Sequence, residues 1–213
     1  SLAGPAAPGQ YAQAGPGAQG QPIGTVEVSD GDFFITRTNG TRVRGDKGVE
    51  VFQGDVVETG GNGSLGVVLA DDTTFSLGED GRLVLDELVY DPGTETGSSA
   101  ISVVQGVFTF VSGQIAKTGP DAMTVTTPVA SIGIRGTTVA GRAAAEGDTN
   151  TITLLADDTG QVGEISISNA GGVQVLNVAN QTTQVTSFFS SPAAPVVLAA
   201  AQVQQLFGSA MQA

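Results

Sequence analysis

Between Ile23 and about Ser187, short runs of Val, Ile, Thr and Phe alternate with Gly, Asn and Asp at a roughly 8- to 12-residue spacing. Each run has the length of one strand and each break the composition of one turn, which confines the chain to an all-β fold. The pattern predicts strands near 23–29, 32–38, 48–52, 54–58, 64–70, 73–77, 82–89, 100–105, 106–111, 113–117, 122–126, 129–134, 137–141, 150–155, 162–168, 173–179 and 182–187. Asn39-Gly40 is a hairpin signal and Asp71-Asp72 supplies another turn. So many short strands with small residues at their corners predict a solenoid-like or rolled stack rather than a simple barrel, although no exact repeat of fixed length is present.

One string is denser in such signals than any other. In Thr127-Pro128-Val129-Ala130-Ser131-Ile132-Gly133-Ile134-Arg135-Gly136-Thr137, glycines interrupt β-branched residues where a regular strand would not tolerate them. It reads as a strand, a tight corner and another strand. Arg135, flanked by the two glycines, is expected to be held in one place and to neutralise a carboxylate in an internal salt bridge that ties strand ends together. The rival reading is recognition of an acidic ligand or partner.

Two segments outside the strand-rich body differ from it. Residues 1–22 are Gly, Pro, Ala and Gln with the single aromatic Tyr11, too little apolar surface to offset the entropy of ordering, and are expected to form a flexible arm. Residues 191–213 are expected to form an apolar helix, started by Ser191-Pro192, with Val196, Val203 and Phe207 on one face and Leu206 beside them. Such a face needs a partner, either the chain's own β domain (23–142, continued over 143–190) or another copy.

Composition removes whole classes of function. The 213 residues carry 21 acidic and 8 basic side chains, a net charge of −13 that repels nucleic-acid phosphates and anionic membrane surfaces. No stretch approaches the roughly 20 apolar residues of a membrane-spanning helix, so neither nucleic acid nor membrane insertion is expected. With no His and no Cys, neither catalytic triads nor thiolate or imidazole metal sites can be built within the chain, and no disulfide is available. Carboxylate chemistry is left. Asp86 and Glu87 are neighbours on a predicted strand and point to opposite faces, while a glycosidase site would want aromatic stacking platforms that two Tyr and no Trp do not supply. No enzyme activity and no cofactor is expected.

Calcium is the more serious use of the acids, because flexible acidic turns can supply hard oxygen ligands; Asp71, Asp72, Glu79 and Asp80 are the best cluster. The alternative is that these residues cap turns and keep the surface soluble. Arg44-Gly45-Asp46 matches a cell-attachment tripeptide and is read as coincidence, and three Asn-x-Ser/Thr patterns at Asn39, Asn62 and Asn180 are read as idle.

Three segments together resemble the FecR domain family: Gly54-Asp55-Val56-Val57-Glu58-Thr59-Gly60, the run Gly63 to Gly78, and Thr127 to Thr137. The resemblance spans about 24–142 and implies an all-β, solenoid-like module in an extracytoplasmic setting, best known from the periplasmic part of iron-uptake anti-sigma regulators. Leu83 to Pro92 and Val107 to Ala116 resemble the FecR-like modules of large bacterial secreted proteins. Regulators of the family need a cytoplasmic segment and a membrane helix ahead of the domain, where this chain offers the Gly/Pro/Ala/Gln arm. The expectation is therefore a secreted or cell-surface structural protein that self-associates into a homo-oligomer or filament through Tyr11, Val196, Val203, Leu206 and Phe207. A periplasmic sensor or ligand-binding module and the anchoring module of an adhesin are the alternatives.

Overall fold

The computed structural model describes residues 20–211, so most of the arm, Tyr11 included, lies outside the described residues. Strand ladders build two open sheets that share one long strand. Laterally, the first sheet runs β4 (Glu50–Val51), β1 (Gly24–Asp30), β6 (Ser64–Leu69), β7 (Thr74–Leu77), β9 (Thr96–Val111), β12 (Thr138–Ala143), β13 (Asn150–Leu155), β16 (Gln181–Val185) and β17 (Val196–Val197). The second runs β3 (Arg42–Arg44), β2 (Phe33–Thr36), β5 (Val56–Thr59), β8 (Arg82–Asp91), β9, β10 (Met123–Thr127), β11 (Ala130–Arg135), β14 (Glu164–Asn169) and β15 (Gly172–Leu176). Every pairing is antiparallel except β9 with β10, and neither sheet closes on itself.

The period-2 pattern explains why the sheets face each other. On β11, Ala130, Ile132 and Ile134 are buried while Ser131, Gly133 and Arg135 alternate with them. Inward residues of both sheets, among them Phe33, Val57, Leu83, Ile132 and Ile165 from one and Leu65, Phe75, Phe110, Val139 and Ile152 from the other, form one contiguous core. Phe108 and Phe110 meet edge to face at 5.7 Å, and Phe75 lies 5.8 Å from Phe110.

The predicted strands 100–105 and 106–111 are a single strand here. β9 pairs with β8 and β10 up to Gln105, then with β7 and β12 from Gly106 onward. Gly106, at φ 102°, makes the transfer between sheets, and a side chain there would press 2.7 Å from the Gly81 backbone.

One predicted strand is absent and one observed strand was not predicted. The predicted strand 113–117 is a 3-10 turn, Ile115–Lys117. The 71–73 turn takes its backbone donors: the Thr73 hydroxyl accepts Gly113 N–H (3.0 Å), the Asp71 carbonyl accepts Gln114 N–H (2.8 Å) and the Asp71 carboxylate accepts Ile115 N–H (3.1 Å). With those groups satisfied, no ladder forms. β3 was not predicted, since three residues containing two arginines carry no apolar alternation.

The terminal helix is α1 (Ala200–Met211), shorter than 191–213. Val196 lies before it on β17, paired with Thr182 and exposed, and Leu206 is also exposed. Val203 and Phe207 are buried against Ala140 and Leu155 on the outer face of the first sheet. The helix therefore spends its apolar face on its own domain, and of the residues expected to drive self-association, these two are consumed within the chain.

Candidate functional site

With α1 on the outer face of the first sheet, the outer face of the second offers the candidate site. Its strands put apolar residues inward and small residues, mostly hydroxyl-bearing, outward: Thr124 on β10, Ser131 and Gly133 on β11, Ser166 and Ser168 on β14. Register places them side by side, with Thr124 opposite Gly133, Gly133 opposite Ser166 and Ser131 opposite Ser168. Because these side chains are short, the strands form the floor of a groove of about 470 Å³, with Pro120 and Asp121 on one side and Val175 on the other.

Arg135 and Glu164, a directly opposed cross-strand pair, also line this groove. Arg135 Nη1 is 3.6 Å from Glu164 Oε2, and the two side chains are 55% and 41% exposed. The expected internal salt bridge is thus a surface ion pair, worth at most about 1 kcal/mol. The corner read after Thr127 is two corners. Pro128 and Val129 turn the β10–β11 hairpin, and Gly136, at φ 43°, carries the chain from the second sheet into β12 of the first.

The calcium expectation is not met by the geometry. Asp71 is fully buried and its carboxylate is engaged by Thr73 N–H (3.1 Å), the Thr73 hydroxyl (2.8 Å) and Ile115 N–H. Asp72 is exposed beside it, while Glu79 and Asp80 are exposed in the turn beyond β7, a strand-length of about 13 Å away. Among the described residues no group of three acidic side chains is placed to hold a metal ion. Asp72 and Asp80 instead occupy positive-φ turn positions, at 68° and 52°, which aspartate tolerates better than most residues.

The main buried charge pair was missed in the sequence. Asp55 is fully buried and forms an ion pair with Arg37, while its Oδ2 also accepts Phe52 N–H at 2.8 Å. The guanidinium donates twice to the Glu50 carbonyl at 3.1 Å and sits 4.9 Å from the Phe52 ring centroid. Burial pushes the Asp55 carboxyl above its ordinary range, opposed by the Phe52 hydrogen bond and by Arg37. The Gly54-Asp55 pair was a visible signal, but its cation lies 18 residues away in a turn that no local pattern links to it.

Residues 55–158 match the model of the family described as FecR protein. The chain carries a FecR domain. The FecR match therefore starts at the buried Asp55 and ends just beyond β13, taking in β10, β11 and the Thr127 to Thr137 string. No curated protein sequence matches the chain.

Two crystal structures of a protein described as a candidate anti-sigma factor from Parabacteroides distasonis ATCC 8503 share the fold. One is 14% and the other 12% identical, each with a TM-score of 0.50 over 70% of this chain. The chain spans 62% and 63% of their lengths. The FecR match and this likeness overturn the expectation of a self-assembling, adhesive filament subunit whose partners are copies of itself, and they favour the sensor alternative. Within the described residues, no helix is long and apolar enough to cross a membrane.

Proposed function

We propose that this FecR domain is a periplasmic sensor module of an anti-sigma type signalling system, acting by protein recognition and without catalysis. The observation that carries it is the FecR match over 55–158, on a fold shared with a candidate anti-sigma factor. A chain without His or Cys suits a module that transmits by contact. A solenoid-like arrangement, in which successive strand pairs add to both sheets in turn from β1 and β2 to β16 and β15, would give such a module a stiff body.

The groove over β10, β11 and β14 is the recognition surface in this reading. Arg135 offers guanidinium donors that an exposed Glu164 engages only loosely, and the serine and threonine hydroxyls around it both donate and accept. These groups recognise a polar, hydrogen-bonding surface.

The test is transcriptional. In the host, deleting the coding region for residues 20–211 is expected to change a set of transcripts that share one promoter type, and the intact domain to restore it. Replacing Gly133 and Ser166 by Arg, which fills the groove, is expected to abolish that restoration while the protein still accumulates. An unchanged transcript profile alongside an altered cell surface would overturn the reading.

A further inference from the structure

Each open sheet leaves two terminal strands, and three of the four edges are guarded. β3 carries Arg42 and Arg44, the latter 2.6 Å from Asp32. β4 is two residues long, and its Glu50 carbonyl is capped by the Arg37 guanidinium. β17 is also two residues long and follows Pro195 directly. Charge, proline, shortness and cover are the devices by which folded proteins block unwanted strand addition.

Beyond its first residue, β15 has none of them. It reads Gly-Val-Gln-Val-Leu, pairs with β14 in unbroken register over five residues and pairs with no other strand among the described residues. In an antiparallel ladder, alternate residues direct their N–H and C=O groups away from the partner strand, so this edge presents an open set of backbone donors and acceptors. The neighbouring segment secures the hairpin and lies against the first residue of the strand, Gly172, where an added Cβ would meet Ser191 Oγ at 2.2 Å: Ala170 N–H donates to the Phe188 carbonyl at 3.0 Å, and the Ser191 hydroxyl to the Gly171 carbonyl at 3.0 Å. This fixes the backbone of Phe188 and Phe189, whose rings meet edge to face at 5.5 Å, at the turn end of β15.

β15 itself carries no charged side chain, although the Glu146 carboxylate accepts Phe188 N–H at 2.9 Å at its turn end. The net charge of −13 is all carried ahead of it, since Glu164 is the last charged side chain and none follows from Ile165 onward. Val173 and Val175 are 57% and 45% exposed on the outer face of the strand, and Phe189 is 76% exposed. A charged segment would shed hydration against Val173 and Val175, whereas an uncharged one meets no ionised side chain on β15 itself.

We propose that β15 is a strand-addition site, receiving an extended, uncharged segment of a partner protein whose main chain continues the second sheet and whose alternate apolar side chains lie beside Val173 and Val175. This rests on the signalling reading and deepens it by giving the partner a main-chain anchor beside the groove, which Val175 also lines.

The probe is an acetylated and amidated peptide of alternating Thr and Val, titrated into the isotope-labelled full chain and followed by amide NMR shifts. Expected are shifts confined to Gly172–Leu176 and the facing β14 residues, with binding weakened by about tenfold or more in a Val173→Lys, Val175→Lys variant. Both positions are exposed, so unchanged core resonances will show that the variant still folds. The same peptide with alternate backbone nitrogens methylated is expected not to bind. The proposal is overturned by the absence of β15 shifts at millimolar peptide, by equal shifts at β3 or β17, or by equal binding of the methylated peptide. None of these outcomes depends on the transcriptional experiment, so the docking site and the signalling reading fail separately.

Discussion

Replacing Phe207 by Ala should release the terminal helix while leaving the sheets folded. Phe207 is fully buried in a cluster of four, Ala140, Leu155, Val203 and Phe207, that is separate from the main core. Truncating a buried Phe costs about 3–5 kcal/mol. Of the other buried helical residues, Val203 contributes only about 1.5–3 kcal/mol by its burial and Ala210 adds a single methyl, so the loss of Phe207 removes the largest anchor of the helix.

The main core does not include Phe207, so the deficit falls on a local opening of α1 rather than on global unfolding. Hydrogen exchange read by mass spectrometry should show peptides within Ala200–Met211 losing protection in Phe207→Ala, with β9 and β12 retaining theirs. Phe110→Ala, inside the main core, should instead lower protection throughout and reduce the melting temperature. Gly208→Ala should act in the opposite direction, because the added methyl meets only the flexible Gln204 side chain and helix propensity improves by about 0.8–1 kcal/mol. Unchanged protection of α1 in Phe207→Ala, or an equal loss across the sheets, would refute the argument that the helix is a separately anchored unit.

Three further outcomes follow from the charged groups. Arg37→Ala should cost about 3–5 kcal/mol in urea unfolding, because it strands the buried Asp55 carboxylate. Since burial already raises the Asp55 pKa, the variant's stability should fall further as pH rises through and above the usual carboxylate range, where the unfolded state gives up its proton first. Arg135→Ala should change stability by no more than about 1 kcal/mol, consistent with an exposed pair, and a larger loss would restore an internal structural role. Glu146 is held below its ordinary range by the Ser187 side chain and by Phe188 N–H, which donates to its Oε2 at 2.9 Å, so the stability it adds is lost as pH falls through its lowered value. The protection factor of the Phe188 amide, corrected for the intrinsic exchange rate, should fall on acidification in the wild type and be already low and less pH-dependent in Glu146→Ala.

How much was legible depended on the range of the interaction that decides each feature. The β11 alternation and the Gly-Asp and Arg-Gly-Thr signals are local, and they announced the strands and the FecR resemblance before any contact was known. The turn at Ile115–Lys117 was misread as a strand because its donors are taken by Asp71 and Thr73, some 40 residues earlier. The groove was not legible: Thr124, Ser131 and Ser166 look like ordinary outward strand positions until register sets them side by side.

Residue type and spacing within single strands and turns are enough to build this protein of short strands, to deny it imidazole and thiol chemistry, and to mark it with the FecR pattern. Tertiary structure alone decided that the apolar face of α1 is spent on Ala140 and Leu155, that Asp71 serves a loop rather than a metal, and that β15 is the edge left open. An apolar face, a carboxylate and a strand edge each have several possible partners, and only the folded neighbours that reach them first determine which remain available.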